Sequence, residues 1–324
     1  MDDLTPAFSP LPRATAADGT PRRVGLEVEL GGLPEAQVAE IAQQTLGGTL
    51  TSGDDPTWRL EGSAVGGLDI YLDTSLRKSE KSALRDAALT LGRDIIPVEI
   101  VTDPLDLDGM ERFNALLPHL RDGGARGSSA GLVLGFGVHF NIQVASDRMA
   151  DIRGPLTAYA LLEDWLRAAM PIDETRRILP FTAPYPTTFV RELLELPPDA
   201  PLSALIDLYI HHNPSRNRGL DMFPLFEHLD PDRMARVHTE LTSARPTFHF
   251  RLPDCRIDEP GWSLVSEWRR WLLVEQVAED ARLLDAMGRL WQAAHGPVTL
   301  SRHTWAQRCG DLLLGAGLAR DPLA

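Results

Sequence analysis

Cysteine is scarce in this sequence. Its 324 residues include two, Cys255 and Cys309, too few and too far apart for a disulfide framework or a thiolate metal site. That usage fits a reducing cytosol, and a cytoplasmic protein is expected. Positive charge is also short. Against 46 Asp and Glu stand 32 Lys and Arg, a net charge of −14, which argues against non-specific binding to nucleic acid or an anionic membrane. A local basic pocket or a metal can still receive an anionic ligand. No apolar run has the length of a transmembrane helix. The opening stretch "MDDLTPAFSPLPRATAADGTPRR" lacks the basic-then-apolar layout of a signal peptide. The G-x-x-x-x-G-K-[ST], G-x-G-x-x-G and H-E-x-x-H patterns are missing too, so P-loop, dinucleotide and zincin readings have no support.

What is present reads as a soluble globular chain, 43% apolar and 24% charged. Residues 1 to about 21, rich in Pro, Ala and Thr, read as a mobile, disordered tail. "PEAQVAEIAQQTLGG" predicts a helix stopped by Gly47 and Gly48. "DIYLDTSL" and "IIPVEIVTDP" predict strands, with a helix or loop in "KSEKSALRDAALTLGRD" between them. "DLDGMERFNALLPHLRDGG" predicts one helix, and "GLVLGFGVHFNIQVAS" a strand fed by a glycine-rich loop. Helical patterns broken by prolines fill Pro155 to about Leu241, "RPTFHFRLPD" adds a strand, and Ser263 to about His295 predicts a helix. Strands with helices between and after them give an α+β class. The expected domain spans 22–260, and a C-terminal helical region, 261–324, packs on it.

The strands share a chemistry. A strand sends residues i and i+2 to one side. In "VGLEVEL", Glu27 and Glu29 face one way; Leu26, Val28 and Leu30 face the other. In "GVHFNIQV", His139, Asn141 and Gln143 share a side, and in "TFHFRL" so do His249 and Arg251. Asp69, Tyr71 and Asp73, and Glu99 on its strand, do likewise. An ordinary solvated sheet face is built from Lys, Thr, Ser and Glu. This one has no lysine and is filled by carboxylates, imidazoles and a guanidinium, the groups that hold divalent metals and phosphate. Either histidine alone could equally be a hydrogen-bonded structural residue. Two neighbouring carboxylates repel each other, and a divalent cation between them would make the pair favourable.

These segments resemble the amidoligase family, within the wider glutamine synthetase and glutamate–cysteine ligase group of carboxylate–amine ligases. "RRVGLEVEL" is similar to that family's G-x-E-x-E opening strand. "YLDTS", "VEIVTDP", "FGVHFNI" and "FHFRLPD" follow in its order, from about Arg23 to Asp258. The resemblance implies a curved, mainly antiparallel sheet with helices on its outer face, a glutamine synthetase-like catalytic domain. It implies ATP and Mg²⁺ as cofactors, and small-molecule or peptide carboxylate and amine substrates joined through an acyl phosphate. By matching position, Glu27, Glu29 and Glu99 would be Mg²⁺ ligands, His139 would contact metal or ATP phosphate, and Arg251 would stabilise the transferring phosphoryl group. Asn141 stands where a second histidine can occur, and His249 where a glutamate is usual; His249 is kept as a candidate metal ligand and Asn141 as a nucleotide contact.

"HHNPSRNRGLDMFPLF" concentrates Arg216 and Arg218 in an acidic chain. They could grip ATP phosphates or a carboxylate, or decorate a Pro- and Asn-driven turn. Two other readings stay open beside the ligase. One is a metal-dependent hydrolase using the same Glu and His face. The other is a catalytically silent nucleotide-binding or scaffold protein, which the histidine at 249 favours. A homo-oligomer is compatible with all three.

Overall fold

The alternating segments come together in one sheet. A computed structural model describes residues 8–53, 57–72, 97–128, 136–170, 182–236, 243–296 and 302–318. Its strands are β1 (Val24–Leu30), β2 (Thr49–Ser52), β3 (Thr57–Ser63), β4 (Gly66–Leu72), β5 (Val98–Thr102), β6 (Val138–Gln143), β7 (Leu220–Asp221) and β8 (Thr247–Phe250). They lie in the order β2-β3-β4-β5-β1-β6-β8-β7, and the described strand pairs are antiparallel. With the helices below, the chain is α+β, as its pattern predicts. Strands β2, β3 and β7 have no counterpart in the sequence reading: β2 is largely exposed and β7 is two residues long, so neither carries a readable alternation. Asp73 and the 78–94 segment lie outside the described residues.

One face of the sheet is apolar throughout. Leu26, Val28 and Leu30 of β1, Ile70 of β4, Ile100 of β5, Phe140 and Ile142 of β6 and Phe250 of β8 have no solvent exposure. Alternation puts them all on one side, and the helices cover it. Helix α1 (Glu35–Leu46) packs on β3 and β4. Helix α4 (Met149–Ala169) packs against α9 (Leu264–Glu279) and α11 (Arg302–Gly315). Trp268 and Trp271 of α9 stand one turn apart, so both point at the sheet: Trp268 meets Phe140 at 6.2 Å between ring centres, and Trp271 meets Phe248 and Phe250 at 5.3 and 5.6 Å. The C-terminal helices thus share the sheet's core.

Two predicted helices are each divided. The 107–122 stretch forms α2 (Leu107–Asn114) and α3 (Leu116–Asp122). Pro118 has no N–H to offer the Asn114 carbonyl four residues back, so the first helix ends there. The 263–295 stretch forms α9 and α10 (Ala281–Ala294), because the Asp280 carboxylate accepts from the N–H groups of Arg282 and Leu283 and starts a new helix. Between β6 and β8 the chain also forms α5 (Thr187–Glu195), α6 (Leu202–His212), α7 (Phe223–Leu229) and α8 (Pro231–Met234).

The expectation of a mobile tail up to residue 21 fails for residues 8–21. Phe8 and Leu11 are buried, and Phe8 lies edge-on to Trp268 at 6.3 Å. Trp268 Nε1 donates to the Ser9 carbonyl at 2.8 Å. Arg13 pairs with Asp151 of α4. Arg22 forms two 2.7 Å bonds to Glu275 of α9. Few residues anchor this segment to the rest of the molecule, and those partners are distant in sequence, so its composition reads as disordered while its position is fixed.

Candidate functional site

The other face of the sheet carries the polar residues, and the strand order brings them side by side. Register pairs Glu29 with Glu99, Glu99 with Tyr71, Glu27 with His139, Asn141 with His249, and His249 with Asp221. Residues paired across antiparallel strands point to the same side. Three rows result. Glu29, Glu99 and Tyr71 form one, Glu27 and His139 the next, and Asn141, His249 and Asp221 the third.

At the centre is Glu27, 7% exposed. Its Oε2 accepts from His139 Nδ1 at 2.8 Å. Its Oε1 accepts from Asn141 Nδ2 at 2.8 Å and from Arg245 at 3.0 Å. Asn141 Oδ1 then faces His249 Nδ1 at 2.8 Å. The directions follow from chemistry: an ionised carboxylate only accepts, so Asn141 turns its NH₂ to Glu27 and its carbonyl oxygen to His249. His249 must donate through Nδ1, and its Nε2 carries the lone pair. The two imidazole rings lie 5.1 Å apart, nearly perpendicular. Glu29 accepts from the Gly137 N–H at 2.6 Å, and its other oxygen is 3.9 Å from His139 Nε2.

Burial and charge act oppositely on these groups. Burial pushes the Glu27 carboxyl up, but the His139 hydrogen bond and the positive charge beside it, Arg245 included, outweigh that and hold it well below the usual carboxylate range. Burial pushes His249 well below the usual imidazole range, against the pull of Glu27. His249 is therefore neutral at pH 7 and Glu27 ionised. Among the described residues, Glu27, His139 and His249, all buried, bring one potential ligand atom each within 4.8 Å of one another. Such a set can hold a metal ion.

The basic residues divide. Arg251 follows β8, and its Nη1 donates to the Arg216 carbonyl at 3.1 Å. Arg216 pairs with buried Asp221 at 2.9 Å. Both guanidiniums are near enough to act on His249. Arg218 turns to the backbone carbonyls of Ala183, Pro184 and His212, which ties the 182–184 segment to the 212–218 loop. The backbone needs glycine beside it: a Cβ on Gly219 would lie 2.2 Å from the Tyr159 hydroxyl.

Arg245 and Asp221 were missed from sequence. Arg245 had a signal, since it continues the alternation of Thr247, His249 and Arg251, but Pro246 hides it. Asp221 has none, because a two-residue strand carries no periodicity.

Among the described residues no helix is long and apolar enough to cross a membrane. A family profile described as "Putative amidoligase enzyme" matches residues 20–273. The match runs from just before β1 into α9, beyond the Asp258 limit of the motif resemblance. No curated protein matches the chain.

Proposed function

The chain belongs to the amidoligase family, and from that premise we propose that it is an ATP- and Mg²⁺-dependent carboxylate–amine ligase. The observation that carries this reading is the register of Glu29 opposite Glu99. Like charges directly across two strands are destabilising. A hard cation with oxygen ligands would offset such repulsion, and Mg²⁺ typically binds through one or two carboxylates plus substrate phosphates. The donor chemistry of this row fits Mg²⁺, and Glu29 and Glu99 would hold it.

The rest of the face supports the assignment by charge. Carboxylates gather on β1 and β5, while Arg245, Arg216 and Arg251 flank β8. Guanidiniums suit phosphate oxygens. Arg216 and Arg251 would bind the nucleotide's phosphates and offset charge on the transferring group; His139 and Asn141 would border it. In the proposed reaction a carboxylate oxygen attacks the γ-phosphorus as the bond to ADP breaks, and the amine nitrogen then attacks the acyl carbon as phosphate leaves and the nitrogen loses a proton. The residues' part is to place the reactants and exclude water. The substrates are a small-molecule or peptide carboxylate and an amine.

A second reading, a nucleotide-binding protein without turnover, is favoured by Arg245, which already neutralises Glu27. Calorimetric titration of a non-hydrolysable ATP analogue, first with Mg²⁺ and then with chelator, tests both. Mg²⁺-dependent binding that Glu99→Gln abolishes is the expected result, and, with ATP in place of the analogue, ADP release driven by an amine selects the ligase. Binding without any amine-dependent ADP release selects the second reading, and loss of all binding overturns both.

A further inference from the structure

Glu27, His139 and His249 differ from the Glu29–Glu99 row in kind. Two of the three donors are imidazole nitrogens. All three are buried, at 7%, 6% and 3% exposure. Mg²⁺ prefers oxygen ligands, demands near-octahedral geometry and gives up water reluctantly. Buried imidazoles suit it poorly, and they suit zinc and the borderline transition ions well. We propose that Glu27, His139 and His249 form a site for a divalent transition-metal ion of the zinc and cobalt type, which they select over Mg²⁺.

The surroundings support this independently of the donor count. Metal-binding imidazoles are held by a hydrogen bond from the ring to a neighbouring acceptor, which sets tautomer and orientation. Asn141 does this for His249: its Oδ1 takes the Nδ1 proton at 2.8 Å, so Nε2 is the donor atom. Asn141 is fixed in turn by Glu27 at 2.8 Å. It is thus a buried positioning residue bonded at both its amide nitrogen and its oxygen, whose orientation is dictated by the carboxylate on its other side. His139 Nδ1 and Glu27 Oε2 face each other at 2.8 Å. Two donors about 2.1 Å from a tetrahedral ion stand about 3.4 Å apart, so a small opening of this contact admits one. Arg245 sits on Glu27 Oε1 at 3.0 Å, and its side chain is one-third exposed. It is a cation already resting on the carboxylate and, among the described partners of Glu27, the one with a partly exposed side chain. A metal at Oε2 and Arg245 at Oε1 would share one carboxylate charge, so Arg245 would weaken the metal's hold.

This site shares a sheet face with the proposed ligase centre but needs no nucleotide. The test uses the metal-stripped full-length chain without nucleotide, titrated with Co²⁺ and followed by its visible absorption. One equivalent should bind, Zn²⁺ should displace it, and a large excess of Mg²⁺ should not. His139→Gln should abolish the signal, which separates this site from exposed histidines. Asn141→Ala should weaken binding by about tenfold or more, as lost orienting partners do. Arg245→Ala should tighten it. His249→Glu should shift preference toward Mg²⁺. Equal displacement by Mg²⁺, or a signal unchanged in folded His139→Gln and His249→Glu proteins, overturns the proposal. Circular dichroism establishes folding, and His249→Gln replaces any variant that does not fold. Failure here with intact ATP-analogue binding in Mg²⁺ would remove the transition-metal site alone; the reverse result would leave it standing without the ligase.

Discussion

Glu275 on α9 and Glu27 on β1 are both buried glutamates beside an arginine, yet their surroundings differ in what remains unused. Arg22 grips Glu275 with two 2.7 Å bonds, and Trp271 Nε1 adds a third at 2.9 Å. Arg22 also donates from Nε to the Gln143 carbonyl and from Nη1 to the Arg13 carbonyl. That cluster is closed, and it fastens the N-terminal segment to the helical layer. Glu27 is bonded by one imidazole, an amide and an arginine that is one-third exposed, and a second imidazole, His249, lies on the far side of that amide. The His249 ring keeps a nitrogen lone pair for something else. Burial of charge is common to both regions; spare donor capacity belongs to one.

The largest effect should come from opening the closed cluster. Glu275→Ala leaves Arg22 buried and uncompensated, and unfolding by denaturant should show a loss of about 3–5 kcal/mol. Arg22→Ala should cost a similar amount, and the double variant less than the sum. A loss under about 1 kcal/mol would mean the pair is no more than a surface ion pair and would erase the contrast. Phe8→Ala, which empties the contact with Trp268, should cost about 3 kcal/mol by the same measurement. No change would return residues 8–21 to the status of a tail.

Glu27→Gln should cost less, about 1–3 kcal/mol, because one oxygen remains while a donor now faces a donor. Divalent-ion binding should nevertheless be lost. The reverse outcome, large destabilisation with binding intact, would make Glu27 the structural residue of the two.

Acidity sharpens the contrast inside the same chain. Glu267 on α9 is buried, and burial raises its carboxyl above the usual range despite Arg270 and Trp262. Glu27 is shifted the other way. A lowered carboxyl adds stability above the unfolded value of about 4.3, and loses it as pH falls through the folded value. A raised one adds stability below about 4.3 and loses it as pH rises through the folded value. Stability measured from acid to neutral pH should therefore fall less steeply toward acid in Glu27→Gln, and decline less as pH rises above about 4.3 in Glu267→Gln. The same slope change in both variants would show that the two environments are alike. At the small end, Arg289→Ala removes an exposed one-turn pair with Asp285 and should change stability by at most about 0.5 kcal/mol.

The two regions were not equally legible. Strict alternation made β1, β6 and β8 readable, and it placed Glu27, Glu29, His139, Asn141 and His249 on one face before any strand pairing was known. Alternation is a property of the backbone itself, because successive side chains of an extended chain point to opposite sides. Nothing local marked Arg22, Phe8 or Arg13 as anchors. Their partners, Glu275, Trp268 and Asp151, lie far along the chain. Arg218 was open in sequence to an anion grip or a turn residue, and in the fold its fork holds backbone carbonyls.

The chain alone therefore determined which residues share a strand face, the α+β class and the resemblance to amidoligases, since each depends on order and spacing along the backbone. Strand order and register decided the rest. Placing β1 between β5 and β6, with β8 beyond, set Glu29 against Glu99, Glu27 against His139 and Asn141 against His249. Only that arrangement separates an all-oxygen row from a nitrogen-rich one. Pairing distances of a few ångströms between segments 70 to 112 residues apart are fixed by the core beneath the sheet, and no local pattern encodes them.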